Sequence, residues 1–487
     1  MRPRLLRSIV LLCLLTPGLP LIAQRQQSSP RRAVYISFAE ARPVLSALDD
    51  ILPAELKGKT EPQLAALWPA WVKQRDNEIR ARLAQGDEDS LINFLLFGTS
   101  FTKQPRVALD QIGRLKNLSQ AAPDAQPREA EQLNSLLSAR IKDLLQSLNR
   151  PGSNERLLFA RRILVNQNHF QLQTPSGREK AAASLRAGMN RVLSENAGYA
   201  RALEAAQLLG DPTEEFAERS RLFRTRGLAS DTSIFPNFAL EEALKSMQSR
   251  GLFAPGSVRR VAIVGPGLDF TDKQEGYDFY PLQTIQPFAV IDTLLRLQLA
   301  KPNELQLTTF DLSSRVNDHL ARARQRARAG QSYVVQLPRD LTAPWKPETI
   351  SYWERFGDQI GAPVAPVTVP VAAGDLRIRA VRVRPSFAAS ISPVDTNIVL
   401  QKLELPPAEK FDLIIGTNIF LYYDNLDQSL AMMNIERMLK PGGLLLSNNA
   451  MLELPFFKVH SIGYSATIYS ERPNDGDTIV WYQRAAD

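Results

Sequence analysis

The chain has 487 residues, of which 44% are hydrophobic and 23% are charged, a composition that excludes a disordered or fibrous protein. Its length predicts at least two domains, since single cores rarely grow beyond roughly 250–300 residues. The formal net charge of +8 is a mild excess, and without a concentrated basic patch it predicts no nucleic-acid partner.

The first 23 residues have the pattern of an export signal. Three arginines form a basic start, and residues 9–23 are apolar, broken by prolines and end in the small Ala23. This stretch is shorter than the roughly 20 apolar residues of a spanning helix. We therefore expect cleavage there, no membrane span afterwards, and a periplasmic or secreted protein. A mis-assigned start and an uncleaved anchor are the alternatives.

Cleavage has two consequences for the mature chain. The loss of three arginines lowers the formal net charge from +8 to +5. The only cysteine, Cys13, leaves with them, so that no thiol remains for a disulfide, a metal or nucleophilic chemistry.

Residues 24–36 are predicted to form a flexible tether, because most of them are polar or basic. From residue 37 to 250 the periodicity is helical almost throughout. It is clearest between Leu133 and Leu148, where apolar residues recur at spacings of three and four. We expect an all-α domain here, irregular rather than a repeat array, because no motif recurs at a fixed period.

At residue 251 the pattern changes to strands that alternate with helices, and the resulting domain is predicted to cover residues 251–487. This alternation predicts an α/β fold with a parallel sheet, and a strand pair around the turn that starts at Pro473 predicts a closing antiparallel hairpin. The predicted strands cover residues 261–264, 305–310, 333–337, 411–415, 444–446, 464–469 and 478–482.

A glycine-rich turn follows the first of these strands. Gly265 and Gly267 allow the backbone to turn tightly and to approach a ligand where a side chain would collide. A Gly-Pro-Gly sequence is also a good turn in its own right. The turn alone therefore leaves ligand binding and simple chain reversal equally open.

Asp311 ends the second predicted strand, 46 residues after Gly265. An acid at this place accepts hydrogen bonds from both ribose hydroxyls in nucleotide-binding folds, usually about 20 residues beyond the glycine turn. A longer, turn-rich loop over residues 271–286 accounts for the larger gap. The alternative is that Asp311 or Ser313 caps the next helix.

The most specific stretch runs from Phe411 through Asn418 and Tyr422 to a Pro-Gly-Gly turn at residues 441–443 and an apolar strand. In order and spacing it resembles class I S-adenosylmethionine-dependent methyltransferases, most closely the chemotaxis-receptor (glutamate O-) type. The resemblance covers residues 258–487 and implies a Rossmann-like methyltransferase domain after the all-α domain. It also implies S-adenosylmethionine as cofactor, with Asn418 placed beside it.

The same resemblance implies further cofactor contacts. It assigns Gly265, Gly267 and Asp311 to the cofactor, and less directly Asp269 and Asn397, with Asp395 competing for the role of Asn397. No residue receives a catalytic role, and Tyr422 is as well explained by packing.

The sequence also departs from the family pattern. Gln286 stands where an acid is usual, Thr417 where an arginine precedes the asparagine, Ile263 where many members have an acid, and Asp269 where a third glycine is common. Such changes either reshape the pocket or mark a domain that kept the fold and lost the reaction, and fold likeness does not decide between them.

Two functions from different classes remain open. The first is methyl transfer from S-adenosylmethionine to an unknown acceptor, a protein among the candidates, by an exported protein. The second is a non-catalytic exported binding or scaffold protein with a degenerate methyltransferase-like fold. Two observations motivate the second function. The glycine loop departs from the family pattern, and S-adenosylmethionine is made in the cytoplasm, so an exported chain would meet little of it. The oligomeric state is left open.

Other chemistries find no support in the sequence. The three histidines, His169, His319 and His460, have no ligand spacing, so no metal site is expected. The chain has neither a Gly-x-Ser-x-Gly elbow nor a phosphate-binding Gly-Lys-Ser/Thr loop, which disfavours a serine hydrolase and a nucleoside triphosphatase.

Overall fold

The computed structural model describes residues 32–107, 126–209, 223, 226–228, 232–271, 276–472 and 475–486. The predicted signal segment and the first part of the predicted tether lie outside these residues, as do Pro473 and Asn474 of the predicted hairpin turn. Among the described residues, no helix has the length and apolarity that crossing a membrane requires.

Long helices dominate the N-terminal half, which confirms the helical prediction for this region. Gly86 does not interrupt the second helix, which runs on for 37 residues, and the fourth continues into a π-helical turn at Arg162–Gln167. The helices are α1 (Phe38–Ala47), α2 (Glu61–Phe97), α3 (Gln126–Ser147), α4 (Glu155–Arg161), α5 (Pro175–Leu209) and α6 (Phe235–Ser249).

The predicted tether differs from the structure at its C-terminal end. Strand β1 (Ala33–Tyr35) pairs antiparallel with β8 (Gln401–Leu403), and the Trp68 indole donates a hydrogen bond of 2.9 Å to the carbonyl of Ile36. These residues belong to the fold because their apolar side chains and main-chain groups find partners there.

The C-terminal half is built on a seven-stranded sheet in the order β11-β12-β10-β9-β2-β3-β7. Neighbouring strands are parallel except at β12, which is antiparallel to both β10 and β11. A Rossmann-like methyltransferase fold with a closing antiparallel hairpin is thereby confirmed. The strands are β2 (Arg260–Val264), β3 (Gln306–Asp311), β7 (Ile391–Asp395), β9 (Phe411–Gly416), β10 (Leu439–Ser447), β11 (Val459–Ile468) and β12 (Gly476–Arg484).

Five α-helices lie in the described residues of this half of the chain. They are α7 (Gln286–Arg296), α8 (Ser314–Arg328), α9 (Pro347–Arg355), α10 (Pro385–Ser390) and α11 (Asn425–Met438). Helices α7 and α8 follow β2 and β3 in the chain, and α11 connects β9 to β10. Such crossovers are what parallel strands require.

One predicted strand is present but lies outside the main sheet. Residues 333–337 belong to β4 (Tyr333–Asp340), which lies in a separate antiparallel sheet with β6 (Leu376–Val383) and β5 (Gly361–Val364). The strand beside β3 is instead β7, which the sequence did not predict because it contains Pro393. Proline is tolerated there because β7 is an edge strand.

The described residues form one compact unit with two large cores, one on each face of the main sheet. Alternate residues of β2 serve different cores: Val261 and Ile263 face the first, and Ala262 and Val264 face the second. Both cores also contain residues of the N-terminal helices. The two predicted domains therefore share their hydrophobic interior.

Helix α2 takes part in both cores. Its early residues, such as Trp68, belong to the second core, and its last turns, from Leu91 to Phe97, belong to the first. The middle of the helix therefore crosses the sheet at the edge where the parallel strands end. There Arg75 pairs with the buried carboxylate of Asp427 on α11 at 2.6 Å.

Gly86 marks the closest backbone approach along this crossing. A Cβ at this position would lie 2.0 Å from the carbonyl oxygen of Leu228. Gly198, in α5, has no heavy atom within 4 Å of the same added atom.

We expect Gly86→Ala to lower the free energy of unfolding by roughly 2–3 kcal/mol, because a rigid carbonyl must move. Gly198→Ala, also at a helical glycine, should raise that free energy by roughly 0.5–1 kcal/mol. Urea denaturation followed by circular dichroism measures both. Equal effects of the two substitutions would contradict the close approach.

Candidate functional site

The predicted site residues gather where the chain changes direction across the sheet. From β2 the chain builds β3 and β7 on one side and β9 and β10 on the other. Ligands of open α/β sheets bind outside the carboxyl ends of the strands at such a switch point. We call this region of the sheet edge the crevice; it is flanked by the turn after β2, with Gly265 and Gly267, and by Asn418 after β9. Asp311, at the end of β3, is the next neighbour.

The glycine turn has a structural reason of its own. Gly265 and Gly267 both have a φ of +64°, which disfavours other residues. The N–H of Gly265 donates a 2.8 Å hydrogen bond to the carbonyl of Phe310. A Cβ on Gly265 would lie 2.2 Å from the Cδ1 of Ile419, the tip of a side chain that follows Asn418. The positive φ is what favours glycine here, because the tip of the Ile419 side chain is able to shift.

Asp311 is buried, with 9% of its surface exposed. Its carboxylate accepts hydrogen bonds from the main-chain N–H of Ser313, at 2.8 Å, and of Gly267. Burial raises the pKa of Asp311 to about 7, against the smaller opposing effect of these hydrogen bonds. The capping alternative holds in part, because Asp311 does bind the start of α8. A carboxylate accepts up to about four hydrogen bonds, which leaves capacity for a ligand.

Asn418 is exposed and lies in the left-handed region, with a φ of +58°. Asn448, the first residue after β10, holds it there: the Asn448 amide oxygen accepts from the Asn418 N–H at 2.7 Å, and its nitrogen donates to the Asn418 amide oxygen at 2.6 Å. The same nitrogen lies 3.4 Å from Asp477, which accepts from the Tyr469 hydroxyl at 2.6 Å. Asn418 is thus the exposed end of a polar chain.

Asp269 lies just beyond the glycine turn, and its carboxylate is bound within the protein. It accepts hydrogen bonds from the Tyr280 hydroxyl at 2.7 Å and from the Gln283 amide at 2.8 Å. The buried guanidinium of Arg156 donates to the carbonyls of Asp269 and Tyr280 and holds this loop together. These contacts give Asp269 a structural role, and its predicted cofactor contact stays a prediction.

The two candidates after β7 differ in environment. Asn397 is fully buried: its amide nitrogen donates to Asp76 of α2 at 2.8 Å, and its amide oxygen accepts from the Val399 N–H at 3.2 Å. Asp395 has 59% of its side chain exposed and accepts from Arg80 of α2 at 2.8 Å. Of the two, Asp395 is the one that solvent reaches.

Two departures from the family pattern meet in space. The Gln286 amide donates a 2.8 Å hydrogen bond to the hydroxyl of Thr417, and both residues are buried. These are the two positions where the predicted resemblance would place an acid and an arginine. In this chain they form a neutral hydrogen-bonded pair.

Tyr422 is half-buried beneath the N-terminal half. Its carbonyl accepts a 2.9 Å hydrogen bond from Arg82 of α2, which also donates to the carbonyls of Phe223 and Arg226. The Tyr422 ring meets that of Phe223 edge to face, with centroids 5.4 Å apart. Packing therefore accounts for Tyr422.

Sequence reasoning missed two groups of residues at this edge. Asp76, Arg80 and Arg82 come from α2, and no local signal connects them to strand ends more than 300 residues away. Asn448 could have been predicted from the sequence, because it follows β10 as Asn418 follows β9.

Comparisons with known proteins leave the family open. No family model matches the chain, and no curated protein matches it. The chain is similar to solved structures at low identity. One is the N-methyltransferase NodS from Bradyrhizobium japonicum WM9, with 14% identity over 50% of this chain and 97% of that one, at a TM-score of 0.25.

Two further similar structures have comparable values. MtNAS, in complex with MTA and tNA, has 10% identity over 77% of this chain and 96% of that one, at a TM-score of 0.24. The glycopeptide N-methyltransferase MtfA, with S-adenosylmethionine, has 13% identity over 53% and 80%, at 0.21. Likenesses of this size carry no argument about function, which must rest on the site.

The raised pKa of Asp311 makes its contribution to folding depend on pH. A pKa of about 7 in the folded state, above the ordinary 3.8, means that this contribution is most favourable below about pH 4. It falls as the pH rises toward 7. We expect the unfolding free energy of the wild type, minus that of Asp311→Asn, to fall by roughly 4 kcal/mol over this window.

Urea denaturation at a series of pH values measures this difference. A difference is needed because Asp427, whose pKa burial raises to about 6, and His319, whose pKa burial lowers to about 4, titrate in the same window. The exposed Asp375→Asn is the control. A profile for Asp311→Asn that matches that of the control would refute a buried carboxyl group with a raised pKa.

Proposed function

We propose that this protein binds S-adenosylmethionine at the carboxyl edge of its main sheet and transfers the methyl group to an acceptor. One observation carries the proposal: Gly265, Gly267 and Asn418 flank the switch point of the sheet, with Asp311 beside them. Independent stretches of sequence that each suggested a cofactor contact thus converge on one crevice.

The residues present fit this cofactor. The Asp311 carboxylate has remaining capacity to accept from two ribose hydroxyls, and the Asn418 side chain lies exposed at the other end of the crevice. The cofactor, when bound, supplies a methyl group already activated by the sulfonium. The protein's task is then to hold donor and acceptor close and aligned, which requires no conspicuous acid or base.

The finer assignment, to the chemotaxis-receptor type, is supported by residues 411–446 alone. It favours a protein among the acceptors. The neutral Gln286–Thr417 pair separates this chain from that type, because it removes two charges beside Asn418.

Calorimetry with the full chain, titrated with S-adenosylmethionine and S-adenosylhomocysteine, tests the proposal. We expect binding that strengthens as the pH rises through about 7, because the ionised Asp311 accepts more hydrogen bonds than the acid. Asp311→Asn should weaken binding about tenfold or more, the cost of one charge-assisted hydrogen bond. Asp375→Asn, at an exposed carboxylate, should leave it unchanged. Absence of binding to the wild type at millimolar ligand would overturn the proposal.

A second function, an exported binding or scaffold protein without catalysis, is favoured by a specific observation. Three of the polar side chains considered for a cofactor contact already have partners within the protein: Asn397 binds Asp76, Asp395 binds Arg80, and Asn418 binds Asn448. These side chains need no ligand to satisfy the groups that are paired. The absence of binding in the titration above is the result that this function expects.

Export is part of both proposals, and it rests on residues 1–23. Mass spectrometry of the N-terminal peptide from the cell that makes the protein tests it. We expect a mature N-terminus at Gln24, after removal of the apolar segment. Recovery of a peptide that begins at Met1 from a cytoplasmic fraction would contradict export and remove the main objection to catalysis.

A further inference from the structure

Strand β11 is one edge of the main sheet, and an apolar part of it is exposed. It pairs with β12 on one side, and no strand in the described part of the chain pairs with its other side. Tyr464 is 67% exposed and Ile468 is 42% exposed, with the exposed Ala466 between them. Edge strands of this kind are templates for pairing with another chain.

The main-chain groups of these three residues point outward. The N–H of Tyr469 donates to Asp475, on the β12 side of the strand, at 2.8 Å. The carbonyl of Ile468, in the same peptide unit, points the opposite way. Because orientation alternates along an antiparallel strand, Tyr464, Ala466 and Ile468 all direct their N–H and C=O groups away from β12.

Both ends of this outer edge are closed. At the N-terminal end of β11, the Glu453 carboxylate accepts a hydrogen bond from the N–H of Ser461 at 3.2 Å. Just beyond its C-terminal end, Trp345 forms an isolated antiparallel β-bridge with Ser470, and the N–H of Lys346 donates a hydrogen bond to the carbonyl of Tyr469 at 2.9 Å. The open part of the edge is therefore limited to residues 464–468, which we call the β11 window.

We propose that the β11 window pairs with the same window of a second copy of this chain, antiparallel and about a two-fold axis at Ala466. This register places Tyr464 opposite Ile468 twice, an aromatic–β-branched pair of the kind that stabilises sheets. The small Ala466 meets its own copy at the axis. Each pair of facing residues exchanges two hydrogen bonds through main-chain groups that have no strand partner in the described part of the chain.

Charge favours a second copy as the occupant. Residues 459–468 contain no Lys, Arg, Asp or Glu, although the chain as a whole has a formal net charge of +8. Two copies therefore meet here without like-charge repulsion, the usual means by which edges are guarded. A two-fold interface requires a surface that is complementary to itself. The β11 window meets this requirement, because a two-fold axis at Ala466 places Tyr464 of each copy opposite Ile468 of the other.

Sedimentation velocity of the full chain over a range of concentrations tests the proposal. We expect a reversible dimer for the wild type. Ala466→Lys should raise its dissociation constant about tenfold or more, because two lysines would face each other across the axis. The control is Thr478→Lys, on the same face but one strand inward from Ala466. It should leave the dimer unchanged.

Two outcomes would overturn the proposal: a wild-type chain that stays monomeric at high concentration, or a dimer that Ala466→Lys does not weaken. Every variant carries the same N-terminal segment, so differences between variants report on β11. The window lies outside the cofactor crevice, so the result is independent of whether S-adenosylmethionine binds.

Cysteine cross-linking tests the register itself. In a Cys13→Ser background the chain has no other thiol. Ala466→Cys should form a covalent dimer on mild oxidation, because facing residues of this kind have Cα atoms about 5.5 Å apart, within reach of a disulfide. Thr478→Cys should remain uncrosslinked. The reverse pattern would refute the two-fold axis at Ala466.

Discussion

The passage of α2 across the carboxyl edge of the sheet is the constraint on which the rest of the structure depends. One helix contributes to the cores on both faces, so the N-terminal helices and the sheet share one hydrophobic interior. The crossing also brings charged side chains to the strand ends. Asp76, Arg80 and Arg82 bind Asn397, Asp395 and Tyr422, and these contacts connect α2 to the residues that follow β7 and β9.

The departures from the family pattern look different once their partners are known. Gln286 and Thr417, read separately, suggest a damaged site. In the structure they bind each other and form a neutral buried pair. Asp269 likewise has Tyr280 and Gln283 as partners. The altered positions therefore form a consistent local structure, whatever chemistry the crevice supports.

The sequence predicted the elements whose signals are local. Strands β2 and β9 contain the short apolar runs Val261–Val264 and Leu413–Ile415, and the resemblance from Phe411 onward predicted the order of β9, α11 and β10. It failed at β7, because Pro393 reads as a break unless the strand is known to lie at an edge. It failed at β4, because an apolar run does not reveal which sheet will receive it. The Asp76–Asn397 contact joins residues 321 positions apart, and no periodicity encodes such a pairing.

The internal partners of the crevice set the terms on which any ligand binds. A group that reaches Asn397 must replace Asp76, and one that reaches Asp395 must compete with Arg80, so both contacts depend on the position of α2. A ligand that reaches Asp311 or Asn418 displaces no residue of α2. Asp311 accepts from main-chain N–H groups, and Asn418 binds Asn448 at the end of the neighbouring strand. The side chains beside β7 are therefore held by α2, whereas Asp311 and Asn418 are held by groups of the C-terminal half.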